Sequence, residues 1–142
     1  MRIVVGIGCD RGTPLVTLET VLDQALEILK CTRENIICFA TIDKKSDEDG
    51  INSLANNLAK EIHYYTANEL AEVEVPNPSK VVMKYMGTPA VSEAAAILAA
   101  NTTMQDLLVE KLKYRGRDGK NATISIVNSN EYPFALDINT GK

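Results

Sequence analysis

The chain has 142 residues, 45% hydrophobic and 24% charged, which suits one domain with a core of its own. A net charge of −4 argues against a nucleic-acid binder, which needs a basic face, and no apolar run approaches the ~18 residues of a membrane span. Cys9, Cys31 and Cys38 form no C-x-x-C pair and His63 is the one histidine, so disulfides, a metal site and a His-based triad are not expected, whereas reduced thiols in the cytoplasm are.

Arg2 to Gly8 is a β-branched run ending in glycines and reads as a central buried strand. Thr13-Pro14 then opens a helix, with Thr13 as cap and Pro14 as first helical residue, whose Leu15, Leu18, Leu22, Ala25, Leu26 and Leu29 share one face. Ile36 to Ile42 is a second buried strand. After the helix-start charges Asp47, Glu48 and Asp49, the residues Ile51, Leu54, Ala55, Leu58, Ala59 and Ile62 recur at helical spacing. His63-Tyr64-Tyr65 is a short third strand, and Thr66-x-x-Glu69 is a capping box that starts a brief helix.

Asn77-Pro78 and Thr88-Pro89 each offer a cap followed by proline, predicting one helix around Val81, Val82 and Tyr85 and another through Val91, Ala94, Ala95 and Leu98. Leu107 to Tyr114 and Ala122 to Val127 read as strands of a hairpin about the turn-rich segment 115–119. Alternation of strands and helices predicts an α/β protein with a mixed sheet, residues 1–128 forming the domain and 129–142 a tail.

Three places carry chemistry. Gly6-Ile7-Gly8-Cys9-Asp10-Arg11-Gly12-Thr13 joins a strand to a helix, so its N–H groups and the Arg11 fork can receive a carboxylate or phosphate. Its glycine spacing is not that of the dinucleotide fingerprint and it lacks the Walker lysine, which leaves a nucleotide-binding α/β enzyme only a distant alternative. Thr41, Asp43 and Lys45 end the second strand at the edge where open α/β sheets bind ligands. Lys111 and Lys113 alternate with Leu112, so both project from one face of their strand.

Taken in order, GIGCDRGT at Gly6, ATIDKKSDE at Ala40, YYTANELAEVEVPNPS at Tyr64, GTPAVSEAAAIL at Gly87 and LLVEKLKY at Leu107 resemble successive motifs of the CobE proteins and of the C-terminal domain of the CbiG proteins of cobalamin biosynthesis. Asp10 stands where that family often has a second arginine and Glu110 where proline is common. The resemblance implies a three-layer α/β/α sandwich with a mixed, largely parallel sheet, and a role in building the corrin ring without a cofactor. Matching positions are Gly8, Cys9, Arg11, Gly12, Thr13, Thr41, Asn77, Ser79, Gly87, Thr88, Lys111 and Lys113 as ligand-binding residues. The expected ligand is a corrin or precorrin intermediate, whose peripheral carboxylates suit helix starts and Arg11. The expected protein partners are a separate N-terminal hydrolase-like protein or other corrin-pathway enzymes. The alternative is a component of cobalt-precorrin-5A hydrolase, which opens a lactone and releases acetaldehyde; there Asp43 or Glu93 is the general base and Arg11 or Lys45 steadies the departing carboxylate.

Overall fold

A computed structural model describes residues 1–76 and 91–129. Five strands form one sheet: β1 (Ile3–Cys9), β2 (Ile36–Ile42), β3 (Ile62–Tyr65), β4 (Leu107–Arg115) and β5 (Asn121–Asn128), in the order β3-β2-β1-β5-β4. β1 pairs in parallel with β2 and β2 with β3, while β5 runs antiparallel to both β1 and β4. Only β5 therefore points against the rest, and the carboxyl ends of β1, β2, β3 and β4 share one edge. The helices among the described residues are α1 (Leu15–Leu29), α2 (Asp49–Asn57), α3 (Ala67–Ala71) and α4 (Val91–Ala100).

Strand alternation sorts side chains to two faces. Ile3, Val5, Ile7, Phe39, Ile124 and Ile126 face α1 and α2, meeting Leu18, Leu22, Ile51 and Leu54. Val4, Cys38, Ala40, Ile42 and Val127 face the other way, meeting Leu70 of α3 and the alanines of α4. This is the expected three-layer sandwich with a mixed, largely parallel sheet. Each large aliphatic side chain so buried contributes roughly 1.5–3 kcal/mol of transfer free energy. The alanine-rich α4 lies close to the sheet, and β1 accommodates it with Gly6, where an added Cβ would stand 1.9 Å from the carbonyl oxygen of Ser92.

Local expectations needed correcting at two helices. Pro14 is the extended N-cap of α1 rather than its first residue, and Thr13 does not cap: its hydroxyl turns back and donates to the Asp10 carbonyl at 2.7 Å. α2 ends at Asn57 rather than continuing to Ile62, because Ala59 takes a left-handed conformation (φ 56) and Lys60 N–H closes on the Ala55 carbonyl at 2.9 Å. Ile62 is thereby released to start β3. The Thr66/Glu69 capping box and the β4–β5 hairpin are as the sequence predicts. The helix expected at Asn77-Pro78, the Thr88-Pro89 cap and positions 130–142 of the tail lie outside the described residues. No helix among the described residues is long and apolar enough to cross a membrane.

Candidate functional site

Two groups of the predicted residues meet at or near the carboxyl edge of the sheet, on opposite faces. The first gathers on the α1 side, where the β1–α1 turn meets the turn that follows β2. Arg11 Nη1 donates to Asp47 Oδ1 at 2.7 Å and lies 2.9 Å from Glu48 Oε2, while Nη2 donates to the Lys44 carbonyl at 3.0 Å. The Gly12 N–H is shared between the two Glu48 oxygens at 3.0 and 3.2 Å, and Lys45 Nζ stands 3.9 Å from Oε2. Glu48 is only 2% exposed. The anion seat anticipated in this turn thus exists, and a carboxylate of the chain itself occupies it. Glu48 is the N-cap of α2 but makes no capping bond, because its carboxylate reaches back to Gly12 instead.

The internal carboxylate also occupies the backbone cradle that a nucleotide phosphate would require. Beside it a shallow groove of about 460 Å³, lined by Arg11, Pro14, Asp47, Asp49 and Ser53 among others, stays open to solvent. Asp47 is held below the usual carboxylate range by its hydrogen bond to Arg11. Cys9 lies beneath the turn; burial raises its thiol more than Lys45 lowers it, which does not suit a nucleophile. Asp43 is exposed in a short 3-10 turn over Asp43–Lys45, apart from this network. Thr41 is fully buried and donates to the Ile7 carbonyl at 2.7 Å, so its hydroxyl ties β2 to β1.

The second group lies on the α4 face. Between Val109 and Leu112 β4 carries two residues where β5 carries only Ser125, a bulge that re-aims the chain. Ser125 donates to the Glu110 carbonyl, which leaves Ser92 to donate to Ser125 at 2.7 Å. This relay fastens the first turn of α4 to the bulge and sets Glu93 opposite Lys111, with Nζ to Oε1 at 3.9 Å. Glu93 is 0% exposed and neither of its carboxylate oxygens has a hydrogen-bond partner among the described residues. Burial pushes its carboxyl up to about 7; Lys111 pulls it down and Glu110 pushes it further up. One step toward the carboxyl edge, Gly8, Thr123 and Lys113 form a lateral row across β1, β5 and β4 on the same face.

The structure therefore brings Arg11, Gly12, Thr13, Cys9 and Lys45 together in one place and Gly8, Glu93, Lys111 and Lys113 in another. Asn77, Ser79, Gly87 and Thr88 lie outside the described residues. Sequence reasoning missed Glu48, whose neighbours in an acidic run disguised it as a helix-start charge. It also missed the Ser92–Ser125 relay, for which no periodicity gives a signal. Among the described residues no cluster of His, Cys, Asp and Glu could hold a metal ion.

Residues 3–127 match the family model described as cobalamin synthesis G C-terminus. The chain is 33% identical over 124 residues to the cobalt-precorrin-5A hydrolase of Priestia megaterium, covering 87% of this chain and 31% of that protein. It is 30% identical over 112 residues to protein CobE of a Sinorhizobium species, covering 78% of this chain and 72% of that one. It thus spans about a third of the length of the hydrolase and most of the length of CobE. Among solved structures, CobE from the cobalamin (vitamin B12) biosynthetic pathway superposes with a TM-score of 0.73 at 28% identity, covering 89% of this chain and 91% of the other.

Proposed function

Because the chain belongs to the family of the cobalamin synthesis G C-terminus, we propose that it serves cobalamin biosynthesis as a domain that holds a corrin-ring intermediate at the carboxyl edge of its sheet, on the α4 face. The observation that carries this reading is the kinship with CobE along most of that protein's length. Chemistry supports this location: on the α1 side Glu48 already occupies the anion seat, whereas on the α4 side Glu93 is buried beside Lys111 with no hydrogen-bond partner among the described residues. A carboxylate in that state is poised to take a donor from a ligand. The domain works with a separate protein that corresponds to the rest of the longer relatives, or with other enzymes of the pathway.

A second reading, a component of cobalt-precorrin-5A hydrolase, is favoured by the setting of Glu93, buried opposite Lys111, where burial pushes its carboxyl up to about 7. A general base needs that property. Glu93 would take a proton from water as the hydroxide adds to the lactone carbonyl, and return it to the departing oxygen. Asp43, exposed and apart from both groups, suits this role less well.

The test is an anaerobic absorption titration of a purified corrin-ring intermediate with the protein and with Glu93→Gln, followed by mass spectrometry of the mixture. A saturable spectral change at micromolar protein is expected. No change at all would reject the binding role. Loss of a two-carbon fragment that stops in Glu93→Gln while the spectral change persists would select the hydrolytic reading.

A further inference from the structure

The charge of this chain is unevenly placed. Five of the ten residues from 111 to 120 are Lys or Arg (Lys111, Lys113, Arg115, Arg117 and Lys120) against the single Asp118, in a protein whose total is −4. All five lie on β4 or the hairpin turn, and β4 is the end strand of the sheet among the described residues. Leu112 and Tyr114 pack toward α1, so Lys113 and Arg115 project from the α4 face, where Lys113 continues the lateral row from Gly8 through Thr123. Successive side chains on one strand face stand about 7 Å apart. Lys120 returns over the β1–α1 turn, its Nζ 3.8 Å from where a Cβ on Gly12 would lie. Arg117 lines a different groove, with Val16, Thr20 and Tyr114, on the α1 side.

Lys111 stands beside Glu93, but Lys113, Arg115, Arg117 and Lys120 make no ion pair among the described residues. Elsewhere Arg33 is paired with Asp23 and Arg11 with Asp47. Concentrating unpaired cations on a sheet edge of an acidic protein is unfavourable through their mutual repulsion, and an anionic ligand that spans them relieves it. One carboxylate would need one cation; a row of them at about 7 Å spacing suits several carboxylates on one rigid frame.

We propose that Lys113 and Arg115 form a docking edge for a polycarboxylate ligand, each cation receiving a separate carboxylate along the α4 face of the β4–β5 hairpin. This deepens the proposed function and rests on it for the identity of the ligand, while the chemistry of the edge is independent of the ring. Neighbouring Gly8, without a side chain, leaves room for a flat frame to lie against the sheet beside these cations. The opposite-face Arg117 takes no part.

The experiment uses two probes, mellitate (benzenehexacarboxylate) and a purified corrin-ring intermediate, titrated by calorimetry against the full chain, the Lys113→Gln/Arg115→Gln double variant and Arg117→Gln. Both substitutions are at exposed positions, and circular dichroism confirms that each variant keeps its fold. The double variant should bind mellitate about tenfold more weakly or worse, and Arg117→Gln within about threefold of the unaltered chain, as expected for charge-assisted contacts against a distant charge. A double variant within threefold, or an equal loss in Arg117→Gln, would overturn the docking edge. If the corrin intermediate binds the unaltered chain and the double variant equally, the edge is wrong and the proposed function stands. If mellitate behaves as expected and the corrin intermediate does not bind, the edge stands and the proposed function falls. Tighter binding of an oligouridylate than of mellitate through the same two residues would make the occupant a nucleic acid and overturn the proposal.

Discussion

Glu93 is the residue on which the α4-side site turns, and its environment makes it measurable. The carboxyl is buried, has no hydrogen-bond partner among the described residues and is pushed from 4.5 up to about 7, mainly by burial. Between those two values the folded protein holds a proton that the unfolded chain has released, so stability declines as pH rises across this window and levels off above it. The loss attributable to this one group is on the order of 3 kcal/mol. Urea unfolding at pH 5 and pH 8 should show this decline, and Glu93→Gln, which cannot ionise, should remove most of it. An unchanged pH dependence in Glu93→Gln would mean that the carboxyl is solvated and titrates normally. Glu93 could be singled out from sequence only through the family motif, since a glutamate two residues into an alanine-rich helix looks like an ordinary first-turn charge. What makes it unusual is its burial opposite Lys111 of the β4 bulge, a tertiary feature that local pattern does not encode.

At the scale of elements, the sequence is most legible where periodicity is undisturbed. β2 and the hairpin strands follow directly from β-branched runs and turn residues, and α1 from its leucine stripe. Legibility fails where two signals overlap. The helical spacing of α2 runs on through Leu58 and Ala59 to Ile62, and only the left-handed Ala59 divides helix from strand. Gly6 also carries two meanings: its motif suggests ligand approach, yet its structural task is to admit the first turn of α4, with Ser92 at its surface. Gly6→Ala should therefore force α4 off the sheet and destabilise by about 3 kcal/mol or more, since neither backbone can yield without breaking the Ser92–Ser125 contact. Gly8→Ala, two residues along on the same face, meets only the Thr123 Cβ at 3.9 Å and should change stability by less than about 1 kcal/mol. Thermal unfolding of the two variants side by side checks the contrast. Equal effects would place the constraint in the backbone conformation of β1 and not in the seat of α4.

For the whole molecule, fold and family were readable from five ordered motifs, and the sandwich that they imply is the one observed. The site was readable only as a set of residue types, because the sheet distributes those residues between two faces and lets Glu48 fill the seat that the first motif prepares. Charge placement adds a property that neither motif nor fold states. With +4 on residues 111–120, the remainder of the chain carries −8, so an approaching polyanion is drawn to one edge and repelled elsewhere. Raising salt shortens the reach of both fields, to roughly 10 Å at 0.1 M and less above it. For the unaltered chain, local attraction at the hairpin dominates, and association with a corrin polycarboxylate should slow as salt rises. In Lys113→Gln/Arg115→Gln that attraction is weakened while the acidic remainder is untouched, so repulsion governs the encounter and added salt should leave the rate unchanged or raise it. Stopped-flow association rates at low and physiological ionic strength separate these behaviours by the sign of the slope, which a general loss of affinity would not reverse. Parallel negative slopes in both proteins would mean that cations elsewhere on the surface receive the ligand.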